Sequence, residues 1–323
     1  MPRVVVLATG GTISSRRTNG AVTAVDDAAT VLGGVEVSDD IAVEHHDVLR
    51  IGSYRMSFAD LRTLAEAVAR QLERGDVDGV VISHGTDTME ETAILLDLVH
   101  DSAKPVVLTG AQRAADVVDG DGPRNLRDAI TVAADPAARG HGTMVVFGGS
   151  VCAARGVRKS HTVALAAFTN PAGTIGDVFT GSARLHGLPA RPASLPLPDA
   201  RFDAVRVDVV AAHLGGDDVL LRAAVAAGAR GIVLAAMGMG NASPGVAECI
   251  AEITRAGVVV ALSTRVAAGP VLPVYGDGGG VDLMAAGAVP VTLPASQARI
   301  ALALLLASDR SPAEVAADLG TYA

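Results

Sequence analysis

Seven stretches of nearly unbroken apolar residues punctuate the chain. They are "RVVVLATGG" (3–11), "GVVISHGT" (79–86), "KPVVLTGAQ" (104–112), "TMVVFGGS" (143–150), "VRVDVVAAH" (205–213), "GIVLAAMGMG" (231–240) and "VVVALSTRV" (258–266). Apolarity on successive rather than alternate positions predicts strands covered on both faces, the habit of parallel sheets. Between them the period changes. "SFADLRTLAEAVARQLER" (57–74) places apolar residues three and four apart behind Ser57, a candidate N-cap. "GVAECIAEITRAG" (245–257) does the same and stops at Gly257. Strands alternating with helices predict parallel sheets with helices on both sides.

The pattern breaks at "GLPARPASLPLPDARFD" (187–203), which has four prolines and neither period. It reads as an interdomain linker. The expected architecture is therefore a two-domain α/β protein. A larger doubly wound sheet occupies 1–188, a linker 189–203, and a smaller parallel α/β domain 204–323. A chain of 323 residues suits two domains better than one core.

In open α/β sheets, ligands bind beyond the carboxyl ends of the strands. Those ends are thus the site candidates: Thr12, Thr86 with Asp87, Gln112, and Ser263 with Thr264. Two of the runs, "LATGGTIS" (7–14) and "VVISHGTDTMEET" (80–92), stop at glycine and then present a threonine. A threonine hydroxyl can serve as a nucleophile only when a neighbouring group takes its proton. Adjacent glycines let backbone N–H groups approach a developing oxyanion, each worth roughly 3–4 kcal/mol in the transition state. The plainer reading of such a threonine is a local turn or helix cap. His45 and His46 sit in a polar stretch and read as solvated; His84 reads as a hydrogen-bonded structural residue, and His161, near Lys159, is open. "GMGNAS" (238–243) misses the dinucleotide fingerprint at its last position, and no Walker lysine follows a glycine loop. No histidine or carboxylate spacing marks a metal site. Neither cofactor nor metal is expected.

Composition narrows the classes. Half the residues are apolar but only 2% aromatic, with no Trp, so the core must be built from Ala, Val, Leu and Ile. A net charge of −9 without a basic run argues against nucleic acid or an anionic membrane as partner. Cys152 and Cys249 lie too far apart to read as a CxxC pair. The run at 300–307 is too short for a membrane span, and a strand starting at residue 3 leaves no room for a signal peptide. A cytoplasmic protein is expected. Only Lys104 and Lys159 are lysines among 26 basic residues. Lysine, unlike arginine, readily loses its proton when buried.

Taken together, "ATGGTI" (8–13) and "HGTDTMEET" (84–92) resemble the two threonine signatures of the bacterial L-asparaginases, the asparaginase–glutaminase family. "IGSYRMS" (51–57) is similar to that family's substrate-binding serine segment, and "ARGVRKSHT" (154–162) to its lysine segment. "LTGAQR" (108–113), "DGDGPRNLRDAI" (119–130), "GMGNAS" and "STRV" extend the likeness over nearly the whole chain. The resemblance implies hydrolysis of L-asparagine to aspartate and ammonia. It makes Thr12 the nucleophile of a β-aspartyl intermediate, with Thr86, Asp87 and Lys159 as a second, water-activating or proton-transferring group. It assigns Asp87 to the substrate ammonium and Ser53 to its α-carboxylate. The N–H groups of Gly11 and Thr86 would form an oxyanion hole, with Tyr54, Gly85 and Ala111 lining the pocket. A neighbouring subunit would complete the site through Asn241, in a homotetramer of tight dimers.

Two departures stand out. The family's loop tyrosine is absent from "SSRRTNGAVTAVDD" (14–27), so Tyr54, Tyr275 or Arg16 takes its place, or activity is reduced. The segment "GPVLPVYGDGGG" (269–280) lacks the family's glutamate; Tyr275 lies nearest that place. The alternatives are a dual glutaminase-asparaginase, an asparaginase-like subunit of a tRNA-dependent amidotransferase, and a catalytically weak amino-acid-binding homologue. The second is opposed by the lack of a basic run. One methylene gives only about 1–3 kcal/mol of discrimination, and Tyr54 is expected to crowd glutamine, favouring asparagine.

Overall fold

A computed structural model describes residues 1–18 and 20–323. The chain divides into two units, Met1–Leu197 and Pro198–Ala323. The first is built on an eight-stranded sheet. Its spatial order is Ser182–Leu185, Gly176–Phe179, Ser150–Ala153, Thr143–Phe147, Val106–Thr109, Gly79–Ser83, Arg3–Gly10 and Ala42–Ile51. The five strands from Thr143–Phe147 to Ala42–Ile51 are mutually parallel. The other three run antiparallel to their neighbours. The reversal has a local cause. Gly148 and Gly149 both have positive φ, 60° and 82°, so a two-residue turn returns the chain at once, and a strand so returned pairs antiparallel.

The central strands explain the unbroken apolar runs. Val4 to Ala8, Val80 to Ile82, Val106 to Leu108 and Met144 to Val146 are all buried. Helices Phe58–Leu72, Met89–Val99 and Gly122–Ala134 connect them. The first begins with a capping box: Ser57 Oγ accepts from Asp60 N–H, and Asp60 Oδ2 accepts from Ser57 N–H. On one side of the sheet Leu126 and Ile130 pack with Val81, Val107 and Ile13.

The "polar stretch" around His45 and His46 is the edge strand Ala42–Ile51. Both histidines are exposed there, His46 Nε2 lying 2.8 Å from Glu44 Oε1. An edge strand with polar, charged side chains resists pairing with other chains.

Residues 186–199 have neither helix nor strand. Part of this stretch is nevertheless fastened to the first unit. Arg191 Nε lies 2.9 Å from Asp97 Oδ1, and Arg191 Nη2 donates to the carbonyls of Asp97 (2.8 Å) and His100 (2.6 Å). These are carbonyls at the end of helix Met89–Val99, where the helix's own hydrogen bonds run out. Leu195 is buried, and its N–H donates to Leu98 O at 2.7 Å.

The second unit carries a four-stranded, wholly parallel sheet in the order Val207–Ala211, Gly231–Ala236, Val259–Thr264, Val289–Pro290. Ile232, Leu234, Val260 and Leu262 pack against Ile250 and Leu283. The run at 300–307 falls in helix Ala295–Leu306, a helix buried on nearly all sides. Among the described residues no helix is long and apolar enough to cross a membrane.

Candidate active site

The first strand of the large sheet ends at Gly10, and the chain leaves it through Gly11 at φ 81°. The Gly11 carbonyl accepts from Ser14 N–H (3.1 Å), Ser14 Oγ (3.0 Å) and Ser15 Oγ (2.7 Å). These bonds wind Thr12–Ser14 into a single 3₁₀ turn with Thr12 at its start. A Cβ on Gly11 would meet the Cα of Gly85 at 2.4 Å, and one on Gly85 would meet Ser53 Oγ at 2.6 Å. Three loops from neighbouring strand ends therefore touch through glycine backbone. The cleft between them, about 260 Å³, is lined by Gly11, Thr12, Ser53, Tyr54, Thr86 and Asp87, with Gly85, Arg50 and Arg55 also on its wall.

Lys159 reaches Thr86 and Asp87 from the short strand Arg158–Lys159, which pairs with Phe168–Thr169. Its Nζ donates to Thr86 Oγ1 and to Asp87 Oδ1, both at 2.7 Å. Its backbone N–H donates to Glu90 Oε2 at 2.6 Å. Thr86 Oγ1 in turn donates to Gln112 Oε1 at 3.3 Å. The Gln112 backbone N–H points to both carboxylate oxygens of the buried Asp121, which also holds Arg113 N–H and Asn125 Nδ2.

The loops are fixed from behind. His84 is fully buried, and burial pushes its imidazole down to about 4. The ring is neutral at ordinary pH. Its Nδ1 lies 2.7 Å from Gly85 O, a pure acceptor, so Nδ1 carries the proton and Nε2 accepts from Thr92 Oγ1 at 3.0 Å. His84 thus clamps the loop to the next helix. Thr88 Oγ1 donates to Ser53 O at 3.1 Å and ties the serine segment to the same loop.

Residues 3–191 match the family model "Asparaginase, N-terminal", and residues 206–317 match "Glutaminase/Asparaginase C-terminal domain". The chain belongs to the asparaginase family. A probable L-asparaginase of Deinococcus radiodurans is 40% identical over 315 residues, covering 95% of this chain and 93% of that protein. A glutaminase-asparaginase of Pseudomonas fluorescens is 35% identical over 281 residues, covering 83% and 77%. The crystal structure of a probable cytoplasmic L-asparaginase from Campylobacter jejuni shares the fold with a TM-score of 0.89 at 29% identity, covering 99% of both chains.

The resemblance assigns the N–H groups of Gly11 and Thr86 to an oxyanion hole, and the two differ in their hydrogen bonding. Gly11 N–H already donates to Ile51 O at 3.1 Å, because the strand pairing with Ala42–Ile51 continues past a bulge between Ala8 and Gly10. The N–H groups of Thr12 and Thr86 have no hydrogen-bond partner among the described residues. Both residues lie on the cleft wall.

The remaining candidates fall in several places. Ala111 is fully buried, its side chain in the apolar cluster with Ile13 and Leu126 rather than on the cleft wall. Arg16 pairs with Asp26 at 2.7 Å; Asn19, in the same loop, lies outside the described residues. His161 Nδ1 accepts from the N–H groups of Val163 and Ala164 and closes a local turn. Ser263 Oγ and Thr264 Oγ1 donate to the carbonyls of Leu293 and Gly238, the plainer role foreseen for a strand-end hydroxyl. Asn241 and Tyr275 belong to the second unit. There Asn241 Oδ1 accepts from Gly280 N–H at 3.2 Å and Tyr275 O from Val281 N–H at 3.0 Å, so one loop gathers both.

Two site-supporting residues, Glu90 and Asp121, escaped sequence reasoning, and a third, Gln112, was a candidate without a role. Glu90 reads as an acid suited to a helix N-terminus, and nothing in "MEET" shows that its carboxylate holds a strand 69 residues away. Asp121 stands in a loop with no period. Gln112 appeared only as one more strand-end residue.

Proposed function

We propose that this chain is an L-asparaginase, converting L-asparagine to L-aspartate and ammonia through a covalent ester on Thr12. The observation that carries this reading is the Lys159 ammonium held 2.7 Å from both Thr86 Oγ1 and Asp87 Oδ1, on a cleft whose wall also presents Thr12. An amide is attacked efficiently only where a hydroxyl, a proton carrier and oxyanion donors converge. Here Thr12 Oγ1 attacks the side-chain carbonyl carbon. The N–H groups of Thr12 and Thr86 face the oxygen as it gains charge. The C–N bond then breaks, and ammonia leaves with the proton that Thr12 gave up. A water molecule attacks the resulting ester; its proton is relayed through Thr86 and Lys159, the ammonium releasing one proton as it takes up another, and ends on the Thr12 oxygen as the ester C–O bond breaks. Aspartate leaves and the Thr12 hydroxyl is restored. In this reading Asp87, half exposed at the cleft, holds the substrate ammonium, and the Ser53 turn holds its α-carboxylate.

The family resemblance supports a homotetramer of tight dimers, with Asn241 and Tyr275 offered by a neighbouring subunit, and the cytoplasm is the location expected from the sequence. The Campylobacter neighbour is itself described as cytoplasmic. A dual glutaminase-asparaginase is the second reading, favoured by the Pseudomonas relative's name. Tyr54, 73% exposed on the cleft wall, favours the shorter substrate.

The test is ammonia release from asparagine and glutamine by the purified protein beside Thr12→Ala. Release from asparagine that vanishes in the variant is expected. Asparagine binding without release by the wild type would overturn the enzyme reading in favour of a binding homologue. Comparable kcat/KM for glutamine would establish the dual enzyme.

A further inference from the structure

The Thr86 hydroxyl has one proton, and its neighbours decide where that proton points. Lys159 Nζ lies 2.7 Å from both Asp87 Oδ1 and Thr86 Oγ1, and a lysine beside a carboxylate donates as an ammonium. Thr86 Oγ1 therefore accepts from Lys159 and must send its own proton elsewhere. The acceptor 3.3 Å away is Gln112 Oε1. The orientation of that amide is not arbitrary. Gln112 Nε2 faces two carbonyls, Ala164 O at 3.1 Å and His161 O at 3.4 Å, which can only accept. Flipping the amide would set its oxygen against both, so the oxygen is forced toward Thr86. The backbone of Gln112 is itself held by Asp121.

We propose that Gln112 is a positioning residue that holds the Thr86 hydroxyl proton away from Lys159 and so stabilises the resting, ammonium form of the pair. This rests on the asparaginase reading only for its catalytic consequence; the proton arrangement itself does not. Once Lys159 is neutral its nitrogen carries a lone pair, and for Thr86 to give its proton there the Thr86 O–H must turn to it. Gln112 Oε1 then loses its partner. The glutamine thus opposes the form of the pair that can accept a proton, and its oxygen is the element to be tested.

The charged groups around the pair are few. Asp87 faces the ammonium and Glu90 the Lys159 backbone, while Arg158 precedes it in the strand. Asp121 lies behind Gln112, Arg113 is turned to Asp119, and His161 presents its carbonyl. None of these changes in a substitution at 112, which leaves the sign of the effect to the new side chain.

The experiment compares Gln112→Met with Gln112→Glu in the full-length protein. Both lose the two donors of Nε2 and any structure those support. Only glutamate keeps an acceptor toward Thr86, and it adds charge. Because Lys104 and Lys159 are the chain's two lysines, protein labelled with [13Cε]lysine gives one signal for each. Lys104, whose Nζ donates to Leu72 O and Arg74 O, serves as the internal reference. The pH midpoint of the Lys159 signal should move down in Gln112→Met by roughly 0.4–1 pH unit, the equivalent of one neutral hydrogen bond. It should move up in Gln112→Glu. The pH dependence of kcat for asparagine should follow in the same two directions, with KM changed less than about twofold because Gln112 is not on the cleft wall. A midpoint that shifts the same way in both variants, or in neither, overturns the proposal whether or not the protein releases ammonia. Lack of ammonia release by the wild type overturns only the asparaginase reading.

Discussion

Gly11 and Gly85 approach so closely that a single Cβ on the first would lie 2.4 Å from both the Cα and the amide nitrogen of the second. No rotamer change relieves such a contact, because both atoms are backbone. Thr12 and Thr86, the next residue after each glycine, are held on one cleft by this contact. Gly11→Ala adds a left-handed φ of 81° to the clash and should cost about 2 kcal/mol or more. It should also lower kcat/KM for asparagine by at least about a hundredfold, as a reacting group displaced by an ångström does. Gly173 is the control. Its φ is 92° and a Cβ there meets nothing within 4 Å, so Gly173→Ala should cost about 1 kcal/mol and leave activity intact. Urea unfolding and steady-state rates on both variants separate strain from contact. Equal activity in the two would mean that the loop contact does not set the chemistry.

Lys159→Arg keeps the positive charge beside Asp87 but substitutes a group that does not give up its proton in a protein. If Lys159 takes part in proton transfer, kcat should fall by about a hundredfold or more. Asparagine binding, measured by calorimetry on the Thr12→Ala background, should change little. A variant with near wild-type kcat would reduce Lys159 to a fixed charge.

The Tyr54 ring stands at the wall of the cleft and is 73% exposed, so its removal should not unsettle the fold. Tyr54→Ser should raise kcat/KM for glutamine relative to asparagine by about tenfold, within the range expected for one methylene. An unchanged ratio would show that the extra methylene is excluded elsewhere.

Acid should unfold the first unit early. Burial holds His84 near about 4 and His100 near about 3, against 6.5 for the free ring. Unfolded chains take up a proton at each ring as pH falls below 6.5, while the folded rings stay neutral. The stability these groups allow is therefore complete above pH 6.5. It is lost progressively between 6.5 and about 4 for His84, and down to about 3 for His100. His84 alone accounts for about 3 kcal/mol. Asp97 acts oppositely, since burial raises its carboxyl and acid relieves that cost. Urea midpoints at pH 7.5 and 4.5 should differ more for the wild type than for His84→Gln. An equal pH dependence in the two would assign the acid sensitivity to other groups.

How far the sequence reached depended on the kind of signal. Unbroken apolar runs located the buried strands, because both of their faces are covered; the run at 205–213 is the exception, since its strand Val207–Ala211 lies at a sheet edge with Val209 exposed. Edge strand Ala42–Ile51 was illegible for the converse reason: its charged residues serve an exposed position. The switch to three antiparallel strands in the large sheet begins at Gly148-Gly149, a pair that looks like a strand's end until its two positive φ values are seen. At the candidate site, Thr12, Thr86, Asp87 and Lys159 were visible through motif. The commitment of Gly11 N–H to Ile51, and the reach of Glu90 and Gln112 across the fold, depend on strand register and long sequence separations that local pattern does not encode.

Arg191 gives the connecting stretch a different standing from a tether. The sequence changes character near residue 188, but the fold releases the chain only after Leu197. A fragment ending at 188 would strip the last carbonyls of a buried helix of their guanidinium and leave Asp97 without its arginine. One ending at 197 would keep both. The boundary at which this protein can be cut, swapped or fused is therefore set by a side chain beyond the apparent edge of the domain.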